Sequence, residues 1–214
     1  MRHVGLQAVS VLLLFGLLVA SCAEPGSRKV MAERDDSDPF ASLPPLKAGP
    51  QSYMLEPQSN ITWTAQTKAG DRWEGGFDTI AGSIEVPRDD PAQAAIAIRM
   101  DLGSLYSDAV GTTNAMKSPA FLDVDKYPVV TFASTRIIDL DEVYLISGML
   151  TLHGVSRKVT FPAEVQINGT NLVAQGELVF SCNDYNLEAR QKATLGLTGE
   201  MRFKVRINAK RTWY

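Results

Sequence analysis

Between residues 146 and 209 the chain alternates apolar and polar side chains with few interruptions, and that pattern admits little except sheet with one dry and one wet face. Ile146, Gly148, Leu150 and Leu152 share one face, and after HGVSR the alternation resumes with Val159, Phe161, Ala163, Val165 and Ile167. Lys158, Thr160, Pro162, Glu164 and Gln166 fall on the other side, so the pair reads as a hairpin. Asn168-Gly169 then supplies a dipeptide typical of tight hairpin turns. Leu172, Ala174, Gly176, Leu178 and Phe180 continue on one face, as do Met201, Phe203, Val205, Ile207 and Ala209.

Upstream the period of two is weaker but still present. Ile96, Ile98, Met100 and Leu102 alternate with Ala95, Ala97, Arg99 and Asp101, and PVVTFASTRIIDL at 128–140 is rich in β-branched residues. With the segments 53–67, 72–79 and 82–87, about eight strands follow one another. Only 111–127 reads as a helical or irregular excursion, with Thr112 or Thr113 as its expected cap. One-sided strands in succession favour an antiparallel meander, and closing the sheet removes its exposed edges. The expected class is therefore all-β: a roughly eight-stranded antiparallel barrel over residues 52–212, wide enough for packed side chains or one small ligand.

The N-terminal region has a different character. MRHVGLQAVSVLLLFGLLVASC has a basic start, an apolar stretch from Val9 to Ala20 and small residues before Cys22, the order of a secretory signal. Val19-Ala20-Ser21-Cys22 resembles the lipobox of bacterial lipoproteins, whose cysteine is acylated; residues 1–22 are thus expected to be a lipoprotein signal, with Cys22 as the anchor. The next segment, 23–51, carries charge and five prolines without sustained periodicity, and reads as a tether. Within it, RDDSD at 34–38 lacks the glycine and glutamate spacing of a calcium loop. If Cys22 is lipidated, Cys182 has no thiol with which to pair, and packing alone must hold the fold. A net charge of −3, without any Lys/Arg block, argues against a nucleic-acid partner.

Two blocks, SPAFLDVDKYPVVTFAS at 118–134 and SGMLTLHGVSRKVTFPAEV at 147–165, together with the opening YMLEPQSNITWTA, resemble the YceI-like family of polyisoprenoid-binding, lipocalin-like barrels. The resemblance spans about 53–210. It implies an apolar tunnel for a long isoprenoid chain or isoprenoid quinone, a place in the periplasm or at the cell surface, and a dimer as a possibility. Two segments depart from the family pattern. WTAQTKAG, at 63–70, lacks the histidine that commonly follows the first strand, and SCNDYNLEAR, at 181–190, stands where relatives often have Arg followed by an aromatic-Gly pair. The polar end of the site therefore cannot be carried over from relatives.

The residues give little support to catalysis. The segment downstream of the signal holds one histidine, His153, which beside Gly154 reads as a turn residue bonded to local backbone. Cys182 reads as a small buried hydrophobe on a strand. GDRWEGGF at 70–77 lacks the Lys-Ser/Thr of a phosphate cradle, and Glu74 and Asp78 are explained by an exposed hairpin tip. No metal or cofactor is expected. The preferred expectation is a membrane-tethered lipid-binding module lined by Phe77, Ile84, Ile98, Met100, Phe132, Leu150, Leu152, Phe161, Val165, Leu178, Phe180, Phe203 and Val205. Plain core packing accounts for the same positions. An envelope interaction or stress-response protein with a filled barrel remains open, as does a lipid-modifying enzyme using Tyr185, Glu188 and Arg190 near Cys182.

Overall fold

The computed structural model describes residues 52–87, 90–187 and 196–212. The expected signal at 1–22 with Cys22, the tether at 23–51, and Glu188 and Arg190 lie outside the described residues.

Among the described residues, eleven strands form one antiparallel sheet that closes on itself. They are β1 (Ser52–Leu55), β2 (Asn60–Thr67), β3 (Arg72–Phe77), β4 (Ile80–Glu85), β5 (Ala95–Asp101), β6 (Leu105–Ser107), β7 (Val129–Asp139), β8 (Tyr144–Leu152), β9 (Val155–Asn168), β10 (Asn171–Ser181) and β11 (Leu197–Arg211). The one α-helix among the described residues, α1, spans Val110–Lys117. Three staves of the barrel are each broken in two. β1 pairs with β4 while β2 pairs with β3, and β4 and β3 pair in turn with β5 and β6. Both β1 and β2 run along β11, which closes the ring at eight staves.

The breaks have local causes. After β1, Pro57 cannot donate to a ladder, and Ser59 turns the chain by donating its amide to Glu56 and its hydroxyl to the Asn208 carbonyl at 2.8 Å. After β5, the Asp101 carboxylate accepts from the Gly103 amide at 2.7 Å and opens a 3-10 turn. The β5 strand therefore ends at Asp101 rather than continuing through Leu102, although Leu102 stays buried.

Two hairpins show how turn chemistry fixes register. The β8–β9 turn consists of His153 and Gly154, both with positive φ (52° and 72°), the backbone twist that suits a two-residue connection. At the β9–β10 turn, Asn168 pairs with Asn171, so the central residues are Gly169 and Thr170. Gly169 alone takes a positive φ there, 62°. The hairpin is where the dipeptide placed it, but Asn168 ends the strand rather than entering the turn.

The excursion over 111–127 does contain the helix, although its cap differs from expectation. Ala109 is the N-cap and offers no side-chain bond, whereas the Thr113 hydroxyl accepts from the Ser107 amide at 2.9 Å and ties the helix to β6. Cys182 also departs from expectation: it opens a 3-10 turn, Cys182–Tyr185, whose cap Ser181 accepts from the Asn183 amide. Glu74 lies on β3, not at a hairpin tip, and its carboxylate meets Arg72 on the exposed outer face at 3.4 Å. The neighbouring glycine is demanded by packing, because a Cβ on Gly75 would stand 1.9 Å from the Tyr106 carbonyl and 2.8 Å from the Trp63 ring.

Candidate functional site: the barrel interior

Inward positions recur at every second residue, so the interior is a stack of apolar side chains contributed by all staves. One irregularity changes the phase. A bulge between Ser134 and Arg136 on β7 turns Ile137 inward in step with Phe132, where strict alternation would have chosen Ile138 or Arg136.

The two ends of this stack are built differently. At one end α1 and the chain after it fold over the strands. Met116, Phe121 and Leu122 are at most 2 % exposed. The Leu122 amide donates to the Met116 carbonyl at 3.1 Å, and the Tyr127 ring packs on His153 with centroids 4.3 Å apart. A Cβ on Gly154 would come within 2.7 Å of that tyrosine ring, so the turn and the plug fit each other only with glycine there. His153 is buried, and its ring is a stacking surface for the plug rather than a purely local turn element. Cys182, Tyr185 and Leu187 pack under the same end and are fully buried. Burial pushes the Cys182 thiol up from its ordinary 9.0 to about 12, leaving it a neutral, inert group at neutral pH. The Tyr185 phenol is likewise pushed up to about 12, by burial first and then by the Asp184 carboxylate, with Arg157 opposing.

Toward the other end the interior is not filled. A cavity of about 60 Å³ lies mid-barrel, and every lining residue except Gln175 is apolar. A second cavity of about 30 Å³, nearer the β7–β8 and β9–β10 connections, shares Ile84, Ile96, Ile146 and Ala174 with it. The two thus form one apolar seam. Its outer walls, Ile96, Ile137, Tyr144, Val165 and Ile167, are only partly buried although they face inward, which means the seam reaches solvent at this end. Tyr144 stands at the rim, its phenol held above the ordinary range by desolvation and by Asp139 and Asp90.

Small residues create the space. Ala163 and Gly176 face each other across β9 and β10, with Ala174 and Val165 the next inward pair. On β8, Gly148 leaves room for the Phe132 ring, which would lie 2.4 Å from a Cβ placed there. The Phe132 ring in turn meets Phe161 at 5.6 Å, edge to face.

Most of the residues expected to line a tunnel do border the seam. Ile84, Ile98, Met100, Phe132, Leu150, Phe161, Leu178, Phe203 and Val205 line the central cavity, and Val165 lines the outer one. Phe77, Leu152 and Phe180 face inward but belong to the packed end; Phe77 and Phe180 both meet Phe203, at 5.9 and 5.0 Å. The alternation also held a signal for Ile61, Ile96, Ile146, Ala163, Ala174 and Ile207, which line the seam as well. Ile137 and Tyr144 were hidden by the bulge and the loop before β8. Of the polar trio, Tyr185 is fully buried and so stands at no open mouth.

A closed eight-stranded antiparallel barrel with an apolar seam is the architecture of lipocalin-like proteins. The sequence profile of the YceI-like domain matches residues 53–210, and the chain belongs to that family. It is 33% identical over 124 residues to a UPF0312 protein of Vibrio parahaemolyticus, covering 56% of this chain and 66% of that one. It is 31% identical over 121 residues to a UPF0312 protein of an Enterobacter species, covering 56% and 59%. The aligned regions span about half to two thirds of these and similar relatives. Among solved structures, Burkholderia cenocepacia BcnA superposes with a TM-score of 0.66 at 20% identity, covering 73% of this chain and 99% of that one. A polyisoprenoid binding domain from Saccharophagus degradans, implicated in plant cell wall breakdown, gives 0.64 at 17%, covering 77% and 100%. These likenesses establish a shared fold.

Proposed function

We propose that the protein is a lipid-binding barrel that sequesters or carries a long apolar molecule of the polyisoprenoid or isoprenoid-quinone class. The observation that carries the reading is the apolar seam, continuous from mid-barrel to one solvent-reached end and free of charged lining residues. A structural neighbour described as a polyisoprenoid binding domain supports the choice of ligand class. Burial of a hydrocarbon chain is worth about 25 cal/mol per Å² of apolar surface, so affinity grows with chain length without any dominant polar contact. The empty seam is narrow, so a long chain enters by displacing side chains. Met100 and the isoleucines along the wall are the groups that must turn, and methionine does so at small cost.

Docking of a protein partner has weaker support. The large apolar side chains exposed among the described residues, Tyr106, Val110, Leu140, Met149 and Val179, sit on separate strands, a loop and the helix start, and scattered exposure of this kind is ordinary. Export through the N-terminal signal and anchoring through acylated Cys22 complete the proposal: a tethered carrier in the cell envelope that needs neither cofactor nor metal. The test is native mass spectrometry followed by organic extraction on protein purified from its own host. A bound species in the mass range of prenyl lipids or quinones is expected. An apo mass that persists after incubation with such lipids rejects the reading.

A further inference from the structure

The hydrogen-bonded wall of the barrel is interrupted at its packed end. β5 and β7 pair as far as Asp101 and Val129, and the Leu102 amide adds a bond to the Pro128 carbonyl at 2.8 Å. Beyond that point the stave continues as β6, which is paired with β3 through Leu105, Tyr106 and Ser107. Its other edge pairs with no strand among the described residues. An open strand edge is commonly covered by a helix or loop, and here α1 packs against β6.

This cover is weakly held. Val110, Gly111, Thr112, Thr113 and Asn114, five of the eight residues of α1, are poor helix formers, and the N-cap Ala109 supplies no side-chain bond. Val110 is 78 % exposed, and Met116 is the one buried residue of the helix. Toward its N-terminal half, α1 is tied to the wall by Thr113, whose hydroxyl accepts from the Ser107 amide and meets the Ser107 hydroxyl, each at 2.9 Å. The last turn is held differently. The Met116 and Lys117 carbonyls accept from the Leu122 and Val124 amides, and the Lys117 ammonium donates to the Gly103 carbonyl. The chain beyond has its own anchors, buried Phe121 and Leu122 and the stack of Tyr127 on His153.

The side chains behind the cover belong to the same apolar interior as the seam. Leu105 on β6 is the register partner of Phe77, the Phe77 ring meets Phe203 at 5.9 Å, and Phe203 lines the central cavity. We propose that α1 is a latched cover over a lateral gap in the barrel. It opens by pivoting on its last turn as the Thr113–Ser107 contact breaks and the Met116 side chain turns out, and it gives a long apolar ligand a second way in, at the end opposite the hollow one. The opening is a property of the fold; its use by a ligand rests on the lipid-binding reading.

Hydrogen exchange of the full chain, read by mass spectrometry, tests the opening on the wild type. Amides of residues 113–117 should exchange about a hundredfold or more faster than those of β8 and β9, without global unfolding. Equal protection in α1 and in those strands overturns the proposal. The route is tested with Ser107→Cys/Thr113→Cys, which joins the two contacting side chains under oxidation and frees them under reduction. Stopped-flow tryptophan fluorescence with geranylgeraniol as probe should show uptake and release both slowed about tenfold in the oxidised form, with affinity unchanged and both rates restored by reductant. Thr113→Val, which deletes the latch contact, should raise both rates about fivefold, as loss of one neutral hydrogen bond implies. Rates untouched by the lock overturn the proposal, by sending all of the ligand through the hollow end. Fast exchange in α1 with no uptake of geranylgeraniol upholds the cover and overturns the lipid-binding reading; slow exchange in α1 with rapid uptake overturns the cover and leaves that reading intact.

Discussion

The two ends of the barrel are made from the same eight staves, yet one is packed solid and the other is hollow. At the packed end the strands are capped by α1 and the chain that follows it, and Met116, Phe121 and Leu122 are sealed in. At the hollow end the inward residues shrink to Ala163, Ala174 and Gly176 on one wall, and the isoleucines opposite do not close the gap. The contrast separates two roles that a barrel core can combine. Dense packing of the plug contributes stability, whereas the thin wall sacrifices some of it for room.

The largest expected effect falls on the plug. Phe121→Ala should destabilise by about 3–5 kcal/mol in urea unfolding, whereas Ile96→Ala on the partly exposed seam wall should cost about 2 kcal/mol or less. Equal costs would mean that the two ends are packed alike.

Alkaline pH should weaken the same end next. Cys182 and Tyr185 both have folded pKa values near 12, above their ordinary 9.0 and 10.0, so each favours the folded state only while protonated in both states. Their contributions are complete below about pH 9 and fall by roughly 1.4 kcal/mol per pH unit per group as pH rises toward 12. Cys182→Ala should flatten the loss between pH 9 and 10 in denaturation midpoints. An unchanged slope would contradict thiol burial.

The turn beneath the plug comes third. Gly154→Ala places a Cβ at positive φ and against Tyr127, and a loss of about 1–2 kcal/mol is expected in thermal unfolding. Ala174→Leu should have the smallest effect on stability, within about 1 kcal/mol, because its added methyls enter existing space rather than a filled core. Its effect on ligand should be the reverse: capture of a long prenol should drop at least tenfold. A variant that is strongly destabilised while still binding would place the hollow elsewhere.

Much of this contrast was legible in the residues, for a physical reason. Period-two alternation identifies which side chains face inward, and it selected Ile98, Phe132, Phe161 and Leu178 correctly. It says nothing about how far opposite walls stand apart, so Phe180 and Phe203 look equivalent in sequence although only the second borders the cavity. Phase changes are the other blind spot. The bulge before Arg136 moves Ile137 inward, and the Asp101-capped turn ends β5 one residue short of the expected Leu102 and leads into β6, a strand the alternation did not mark. Full burial was also beyond reach for some aromatics: Trp63 and Tyr185, in the segments WTAQTKAG and SCNDYNLEAR that depart from the family pattern, are 0 % exposed, which no alternation marks.

The most direct test of a hollow end and a packed end uses methionine-methyl NMR with a long-chain prenol titrated into the protein. Met100 lines the central cavity, Met116 lies in the plug, and Met149 is exposed on the outer face of β8. The expected result is a saturable shift of the Met100 methyl with Met116 and Met149 unmoved. Shifts confined to Met149, or a Met100 signal that stays fixed at saturating prenol, would contradict an interior binding site.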